Sequence, residues 1–326
     1  MSVKPRKYAK HSRVSGFSRK QSYGLIVIAL IVVSSLAVYA FFSQPDYEFK
    51  AAIVDQLSSR EDFRNATFVS TANATLTAAG YAVTYYKGSD VTVNFYRGLP
   101  THGYRIILMR VHSALFNGAE APLDLFTSEP YSTSSYQYEQ SKGWLDIAMY
   151  QEGGEQYFGI LHGFVARAML GDFRGAVIIL MGCNGLDRYA RSQTMLQALV
   201  ESKGAKVVIG WDLAVNVRHT DKAAARLLHH LLVENRAITE AVNMTMNEVG
   251  PDPYFQSVLK FYPDTAEVAN YKIPLGLVRS AAAEFIVKPN SFAFGSVCAL
   301  SFSVFYRRRF VFGGLGRKAF EFIVTF

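Results

Sequence analysis

Cysteine and charge are what this sequence has little of. The chain has 326 residues but only two cysteines, Cys183 and Cys298. A disulfide framework is therefore excluded, and because Cys298 sits in an apolar segment, Cys183 is expected to be a free thiol. Charged residues make up 18% of the chain and apolar residues 50%, which is a low charged fraction for a purely soluble protein.

Acidic residues are absent from the first 22 positions, which carry seven basic ones. Five more basic residues and a single acid follow Pro289, so the formal net charge of +8 belongs to the two ends. Between Ser43 and Lys288 the chain has 22 basic and 25 acidic residues. This central part lacks the basic excess that is typical of nucleic-acid binding, and nucleic acid is not an expected partner.

An uncharged run of 20 residues, Tyr23–Phe42, follows the basic tail. As a helix it would be about 30 Å long, enough to cross the apolar core of a bilayer. Basic residues favour the cytoplasmic side, so the sequence predicts a cytoplasmic tail at 1–22, a transmembrane helix at 23–42 and an extracytoplasmic domain at 43–288. A cleaved signal peptide is the alternative, with Val38-Tyr39-Ala40 as a weak cleavage site, but the run exceeds the usual core of about 7–15 residues.

The C-terminal segment 289–326 holds a second uncharged run, Ser291–Tyr306, which three arginines follow at once. At 16 residues the run is short for a membrane span, although snorkelling arginines extend its reach. Two interpretations stay open: a second transmembrane helix in the cell membrane, or an amphipathic or poorly ordered tail. Three Asn-X-Thr tripeptides agree with an exported domain, and they begin at Asn65, Asn73 and Asn243.

Strands and helices alternate along the central domain, which implies an α/β fold with a mostly parallel sheet and helices on both faces. The predicted strands are Lys50–Gln56, Tyr81–Tyr86, Val91–Tyr96, Arg105–Val111, Ala176–Met181 and Lys206–Trp211. The predicted helices are Asn65–Ala79, Arg191–Ser202, His219–Glu234 and Ile238–Val249. The irregular stretch Asn117–Gly159, rich in Ser, Tyr, Glu and Gly, predicts an insertion with a hairpin at one edge of the domain.

Two of the predicted strands end in residues that can carry chemistry. The run RIILMRV ends in His112-Ser113, and VIILM ends in Gly182-Cys183. Both runs are apolar on both faces, so we expect central neighbouring strands, whose carboxyl ends form the ligand site in open α/β folds. An imidazole can activate a thiol as a nucleophile, and the backbone N–H groups of Gly182, Cys183 or Ser113 can stabilise an oxyanion.

These two blocks resemble the caspase-like fold of the clan CD cysteine peptidases, which include caspases, gingipains, separases and CHAT domains. In that group one apolar strand ends at the catalytic His and a later one at the catalytic Cys, in the same order as His112 and Cys183 here. The strand block Gly204–Asp212 (GAKVVIGWD) is similar to the strand that follows the Cys helix in CHAT and separase domains. The small-residue helix that opens at Ile238–Ala241 (ITEA) is similar to their closing helix.

The resemblance implies a three-layer sandwich and a cysteine endopeptidase, with Cys183 as nucleophile and His112 as base. Ser113 stands where the group has Gly, and the acid that precedes the Cys in some branches is absent. Asp212 follows the third strand, where it is either a solvated loop residue or the ligand of a basic substrate side chain, as in the Arg-specific branches. With Ser113 and Gly182, Asp212 completes the predicted substrate-binding residues.

Other interpretations of these residues stay open. A Cys at the end of a buried strand is often a small core residue. His102, in a turn, and His162, near a helix start, are rival bases. No metal site is predicted, since the spacing of His219, His229 and His230 suits no usual zinc set, and no glycine-rich loop indicates a nucleotide cofactor.

The sequence therefore predicts a membrane-tethered caspase-like cysteine endopeptidase that acts on a polypeptide. The alternatives are an inactive caspase-like module that binds a protein partner at the cell surface, and a plain structural domain. The sequence carries no signal for a particular oligomeric state.

Overall fold

The computed structural model describes residues 49–115 and 122–276. The strands in these residues are β1 (Lys50–Asp55), β2 (Ala82–Lys87), β3 (Ile106–Arg110), β4 (Ser113–Leu115), β5 (Leu123–Pro130), β6 (Leu145–Met149), β7 (Gln156–Ile160), β8 (Val177–Leu180), β9 (Val207–Trp211) and β10 (Leu259–Tyr262). The helices are α1 (Ala66–Ala78), α2 (Val93–Gly98), α3 (Gln137–Ser141), α4 (His162–Arg167), α5 (Gln193–Gln197), α6 (Val217–Leu228), α7 (Ile238–Val249) and α8 (Ala266–Ala269). Single π-helical turns extend α5 through Ala198–Ser202 and α6 through His229–Val233.

Six strands form the central sheet, in the order β10-β9-β8-β3-β1-β2. All neighbouring pairs are parallel except one: β10, at the edge of the sheet, runs antiparallel to β9. β3 lies beside β8, and β9 lies on the other side of β8, as the sequence predicts. These placements are confirmed, and they follow from apolar runs that can be buried only where both faces of a strand are covered.

Separate apolar clusters cover the two faces of this sheet. Alternate residues of β3 and β8, such as Ile107 and Ile178, pack against α2, α4 and α5 on one face. Their neighbours in the chain, such as Leu108 and Ile179, pack against α1, α6 and α7 on the other face. Successive side chains of each strand point to opposite faces of the sheet, so each strand contributes residues to both clusters. The result is a three-layer α/β arrangement with a parallel-rich sheet.

The second sheet has four antiparallel strands, in the order β4-β5-β7-β6. It accounts for most of the predicted insertion, and its β6–β7 hairpin corresponds to the hairpin expected there. The sheet begins earlier than the sequence suggested, because Ser113, directly after His112, already pairs with Leu125. The chain therefore passes from the central sheet into the second sheet at the residues predicted to carry the site.

One predicted strand is wrong. Val91–Tyr96 was expected to be extended from its Val, Thr and Tyr content, but the structure forms the helix α2 there. The Thr92 side chain accepts a hydrogen bond from the backbone N–H of Phe95, which caps the first turn. Burial of Val93 and Tyr96 then fixes the helix on the sheet, so capping and packing outweigh the intrinsic strand preference.

Within residues 49–115 and 122–276, no helix has the length and apolar character needed to cross a membrane. The predicted tail at 1–22, the predicted transmembrane helix at 23–42 and the apolar run at 291–306 lie outside these residues, as do the first residues of the predicted insertion.

Candidate active site

The predicted pair of site residues follows two neighbouring parallel strands. Met109 of β3 lies opposite Leu180 of β8. The parallel pairing ends there, and the His112 carbonyl oxygen accepts instead from the backbone N–H of Phe126 in β5 at 3.0 Å. His112 and Cys183 each lie three residues beyond this last pair. Cys183 packs against the apolar cluster on the face that α1, α6 and α7 cover, whereas the His112 ring contacts Phe126 and Tyr150. The shared edge of the sheet is the geometric basis for treating the two residues as one site.

The two segments of the chain that follow β3 and β8 approach each other closely just beyond the last paired residues. The buried Ser113 hydroxyl donates a hydrogen bond to the Cys183 carbonyl oxygen at 2.7 Å. A Cβ at Gly182 would lie 2.1 Å from the Ser113 hydroxyl oxygen and 2.6 Å from the carbonyl oxygen of Val111. Only glycine fits between these groups. Ser113 and Gly182, both predicted to bind substrate, thus join the His112 and Cys183 segments, and their contact with a substrate stays a prediction.

The thiol of Cys183 is half-buried and bonded to backbone. Its sulfur accepts from the N–H of Val215 at 3.4 Å and lies 3.8 Å from the carbonyl oxygen of the same residue. Burial raises the pKa of the thiol; the Val215 hydrogen bond opposes that rise, and the negative charge of Asp252 adds to it. In this arrangement the thiol is protonated at neutral pH, and among the described residues no hydrogen bond joins it to an imidazole.

The imidazole of His112 lies among aromatic rings. The Tyr150 ring, just after β6, stacks on it with centroids 4.9 Å apart and planes 27° apart. Phe126 of β5 meets it edge-on at 4.4 Å. The fully buried Gln56 accepts from the His112 backbone N–H at 3.0 Å and donates to the Tyr150 hydroxyl at 2.6 Å. Burial, and secondly the charge of Arg60, lower the pKa of His112 to about 4.

A buried ion cluster lies beside the pair, and sequence reasoning missed it. The Arg110 side chain, fully buried at the end of β3, bonds Asp55 at 2.8 Å and binds Asp221 of α6 at 2.7 and 2.9 Å. It also donates to the Phe63 carbonyl oxygen at 2.6 Å. The signal was an arginine inside the apolar run RIILMRV, since a charge there needs buried partners. Asn65, the first predicted sequon, donates to Asp221 at 2.8 Å and so belongs to this cluster.

The first turn of α6 is tied to both site strands. Thr220 accepts from the indole N–H of Trp211 at 2.8 Å and donates to the Met181 carbonyl oxygen at 3.0 Å, two residues before Cys183. The next residue, Asp221, holds Arg110, two residues before His112. Adjacent residues of one helix therefore fix the ends of β8 and β3 relative to each other.

Asp212 is a buried ion-pair partner in this structure. Its side chain is 1% exposed, which differs from a solvated loop residue. One carboxylate oxygen accepts from the Val258 backbone N–H at 2.8 Å and lies 3.2 Å from the Arg188 guanidinium; the other lies 3.1 Å from the Lys260 ammonium. Two cations already hold the carboxylate, so a basic substrate side chain would have to displace one of them. Its role in substrate binding stays a prediction.

The remaining histidines lie elsewhere. His102 is exposed, next to Tyr104, and His162 opens α4, where burial lowers its pKa. The other predicted helical histidines lie in α6 and its π-helical extension: His219, His229 and His230. No three His, Cys, Asp or Glu side chains of the described segments are grouped in a way that could hold a metal ion.

A groove of about 650 Å³ opens at the carboxyl ends of β1 and β2, beside the ion cluster. Asp55 and Tyr85 lie in its lining, and Arg64 and Lys87 add positive charge. The Tyr85 hydroxyl donates to Asp55 at 3.2 Å. The groove is lined by β1, β2 and α1, whereas Cys183 follows β8.

No protein-family model matches the chain, and no curated protein matches its sequence. Among solved structures the chain is similar to the crystal structure of gingipain R, an Arg-specific cysteine proteinase, with a TM-score of 0.36 and 12% sequence identity. The likeness covers 81% of this chain and 55% of that one, so the chain spans about half the length of the solved structure. At this level the likeness assigns neither a family nor an activity to the chain.

Proposed function

We propose that the chain is a caspase-like cysteine endopeptidase in which Cys183 is the nucleophile and His112 the base. The observation that carries the proposal is that β3 and β8 are parallel neighbours, so the segments that carry His112 and Cys183 leave the sheet at the same edge. The Ser113–Cys183 hydrogen bond supports it, because it holds the two strand ends together beyond the paired residues. The order of sequence blocks that resemble clan CD peptidases is the second support.

The chemistry is acyl transfer from a peptide. The Cys183 thiol gives its proton to His112 and attacks the scissile carbonyl carbon, and the imidazolium then protonates the leaving amine. Water hydrolyses the thioester, with His112 again taking a proton. Above about pH 4 the His112 imidazole is neutral, which is the form that accepts a proton, but the same low pKa makes it a weak base in this resting arrangement.

Membrane tethering is the second part of the proposal and rests on the sequence alone. An uncharged run at 23–42 behind a basic tail supports a tether with the folded domain outside the cytoplasm. The substrate would then be a polypeptide at the extracytoplasmic membrane surface. The second apolar run, at 291–306, would determine whether the chain crosses the membrane once or twice.

A non-catalytic module that binds a protein partner is the second candidate function. The observation that favours it is the resting state of the pair: burial raises the pKa of the Cys183 thiol and lowers that of His112. Both shifts disfavour a thiolate–imidazolium pair. The sulfur also bonds to the Val215 backbone instead of an imidazole.

Peptide cleavage by the full chain separates the two candidates. The wild type should cleave members of a peptide library, read by mass spectrometry. Cys183→Ala should abolish cleavage while leaving the thermal unfolding temperature nearly unchanged, since the residue contributes little core volume. Cys298→Ala, at the other cysteine of the chain, should cleave like the wild type. Cleavage that persists in Cys183→Ala would remove the peptidase assignment as stated here.

A further inference from the structure

The second sheet supplies the rings that enclose His112. Tyr150 follows the last residue of β6, and Phe126 lies in β5, so both come from the predicted insertion. Gln56 links Tyr150 to the His112 backbone from the central-sheet side. The Arg60 guanidinium carbon lies 4.7 Å from the Tyr150 ring centroid. We call the rings of Phe126 and Tyr150, together with Gln56 that binds Tyr150 to the His112 backbone, the aromatic slot of His112.

The aromatic slot has two physical effects on the imidazole. Stacking on Tyr150 and edge contact with Phe126 fix the ring orientation and remove part of its surface from water. Loss of hydration disfavours the charged imidazolium, and the positive charge of Arg60 acts in the same direction. These two causes account for the pKa of about 4.

An imidazole that resists protonation cannot stabilise a thiolate. Proton transfer from Cys183 to His112 creates a thiolate and an imidazolium together, and the aromatic slot disfavours the second product. The thiol meanwhile keeps its hydrogen bond to the Val215 backbone. Activation therefore requires that the surroundings of His112 change.

We propose that Tyr150 is a positioning residue that holds His112 in a resting orientation, and that the β6–β7 hairpin must move before His112 exchanges a proton with Cys183. The proposal rests on the function proposed above. The hairpin turn 151–154 is mostly exposed, so a polypeptide that binds beside the site can reach it. Displacing the hairpin would remove Tyr150 from His112 without touching β3 or β8.

The first test is the titration of His112, followed by NMR on the full chain. The wild type should titrate with a midpoint near 4. Tyr150→Ala should move that midpoint up toward the ordinary value of about 6.5, because the ring becomes hydrated. Tyr150→Phe keeps the stacked ring and should titrate like the wild type. A merely structural role for Tyr150 would lower thermal stability without moving the midpoint.

The second test is alkylation of Cys183 by iodoacetamide from pH 5 to 9, located by peptide mapping. Tyr150→Ala should raise the rate at pH 7 at least about tenfold, since each unit of lower thiol pKa raises the thiolate fraction about tenfold. The double variant His112→Ala/Tyr150→Ala should lose the gain, because the thiolate then lacks its imidazolium. Tyr131→Ala, which removes a ring that packs on Phe158 in the same sheet, is the matched control and should behave like the wild type.

The outcomes separate this inference from the proposed function. If Tyr150→Ala leaves both the midpoint and the rate unchanged, Tyr150 does not hold His112 in a resting orientation. If the gain survives in the double variant, the ring acts only by covering the thiol, and the positioning role is refuted. If the single variant His112→Ala still cleaves peptides like the wild type, the catalytic pair itself is refuted.

Discussion

Replacing Arg110 by Met removes the cation of the buried cluster and leaves the Asp55 and Asp221 carboxylates without it. Arg110 makes hydrogen bonds to Asp55, Asp221 and the Phe63 carbonyl oxygen, and its side chain is 1% exposed. Met fills a similar volume, so the loss is electrostatic rather than a cavity. Breaking a buried ion pair by removing one partner costs about 3–5 kcal/mol. We expect the free energy of unfolding to fall by that amount at pH 7.

Urea unfolding, followed by tryptophan fluorescence, measures this loss, since Trp211 is buried and lies near the cluster. Arg226→Met is the matched control: its pair with Glu248 is exposed, with 40% and 38% of the two side chains accessible. Such a surface pair is worth about 0–1 kcal/mol. The Arg110→Met penalty should also shrink as the pH falls toward 4, because burial already raises the pKa of Asp55 and protonation then neutralises its stranded carboxylate. Equal losses for the two variants would refute the account of the cluster.

Three further predictions concern the second sheet, the close approach and the membrane orientation. Burial raises the pKa of Asp124 to about 7, so the folded state favours its protonated form, and the free energy of unfolding falls as pH rises from about 4 through 7. Asp124→Asn should remove that loss, and in urea unfolding at pH 8 the variant should be more stable than the wild type by about 1–3 kcal/mol. A variant with the same pH dependence as the wild type would contradict this. Gly182→Ala should destabilise the chain by about 1–3 kcal/mol or more, because its Cβ would strike the Ser113 hydroxyl and the backbone of Val111; an unchanged unfolding temperature would refute the close approach. A topology reporter fused after Lys288 should be extracytoplasmic, and a cytoplasmic signal would contradict the predicted orientation. A second reporter at Phe326 determines whether the run 291–306 crosses the membrane back to the cytoplasm.

The central sheet was predictable because its strands carry their own signal. The segments 106–111 and 176–181 are apolar at every position except Arg110, and only a central parallel strand buries such a run. That reasoning predicted β8 beside β3, and β9 on the other side of β8 after a helical crossover; the placement of β1 beside β3 was not predicted. The α2 segment was missed because one Thr92 hydrogen bond and the burial of Tyr96 override a composition that is typical of a strand.

The environment of the site was not predictable in the same way. Gln56, Phe126 and Tyr150 lie 56, 14 and 38 positions from His112 in the chain, and only the second sheet brings them to it. No periodicity encodes such contacts. The Arg110 cluster did have a signal, a charge inside an apolar run, but its partners Asp55 and Asp221 are set by the packing of β1 and α6.

The most direct test of the central claim is covalent capture of Cys183 by a peptidyl acyloxymethyl ketone library, with the adduct located by peptide mapping. We expect an adduct on Cys183 in the wild type. In His112→Ala, capture should be about 10²-fold slower or more, the usual contribution of a positioned general base, while His102→Ala should react like the wild type. Capture of Cys183 at the same rate in His112→Ala, or no adduct at Cys183 at all, would contradict the claim that the two residues form a catalytic pair.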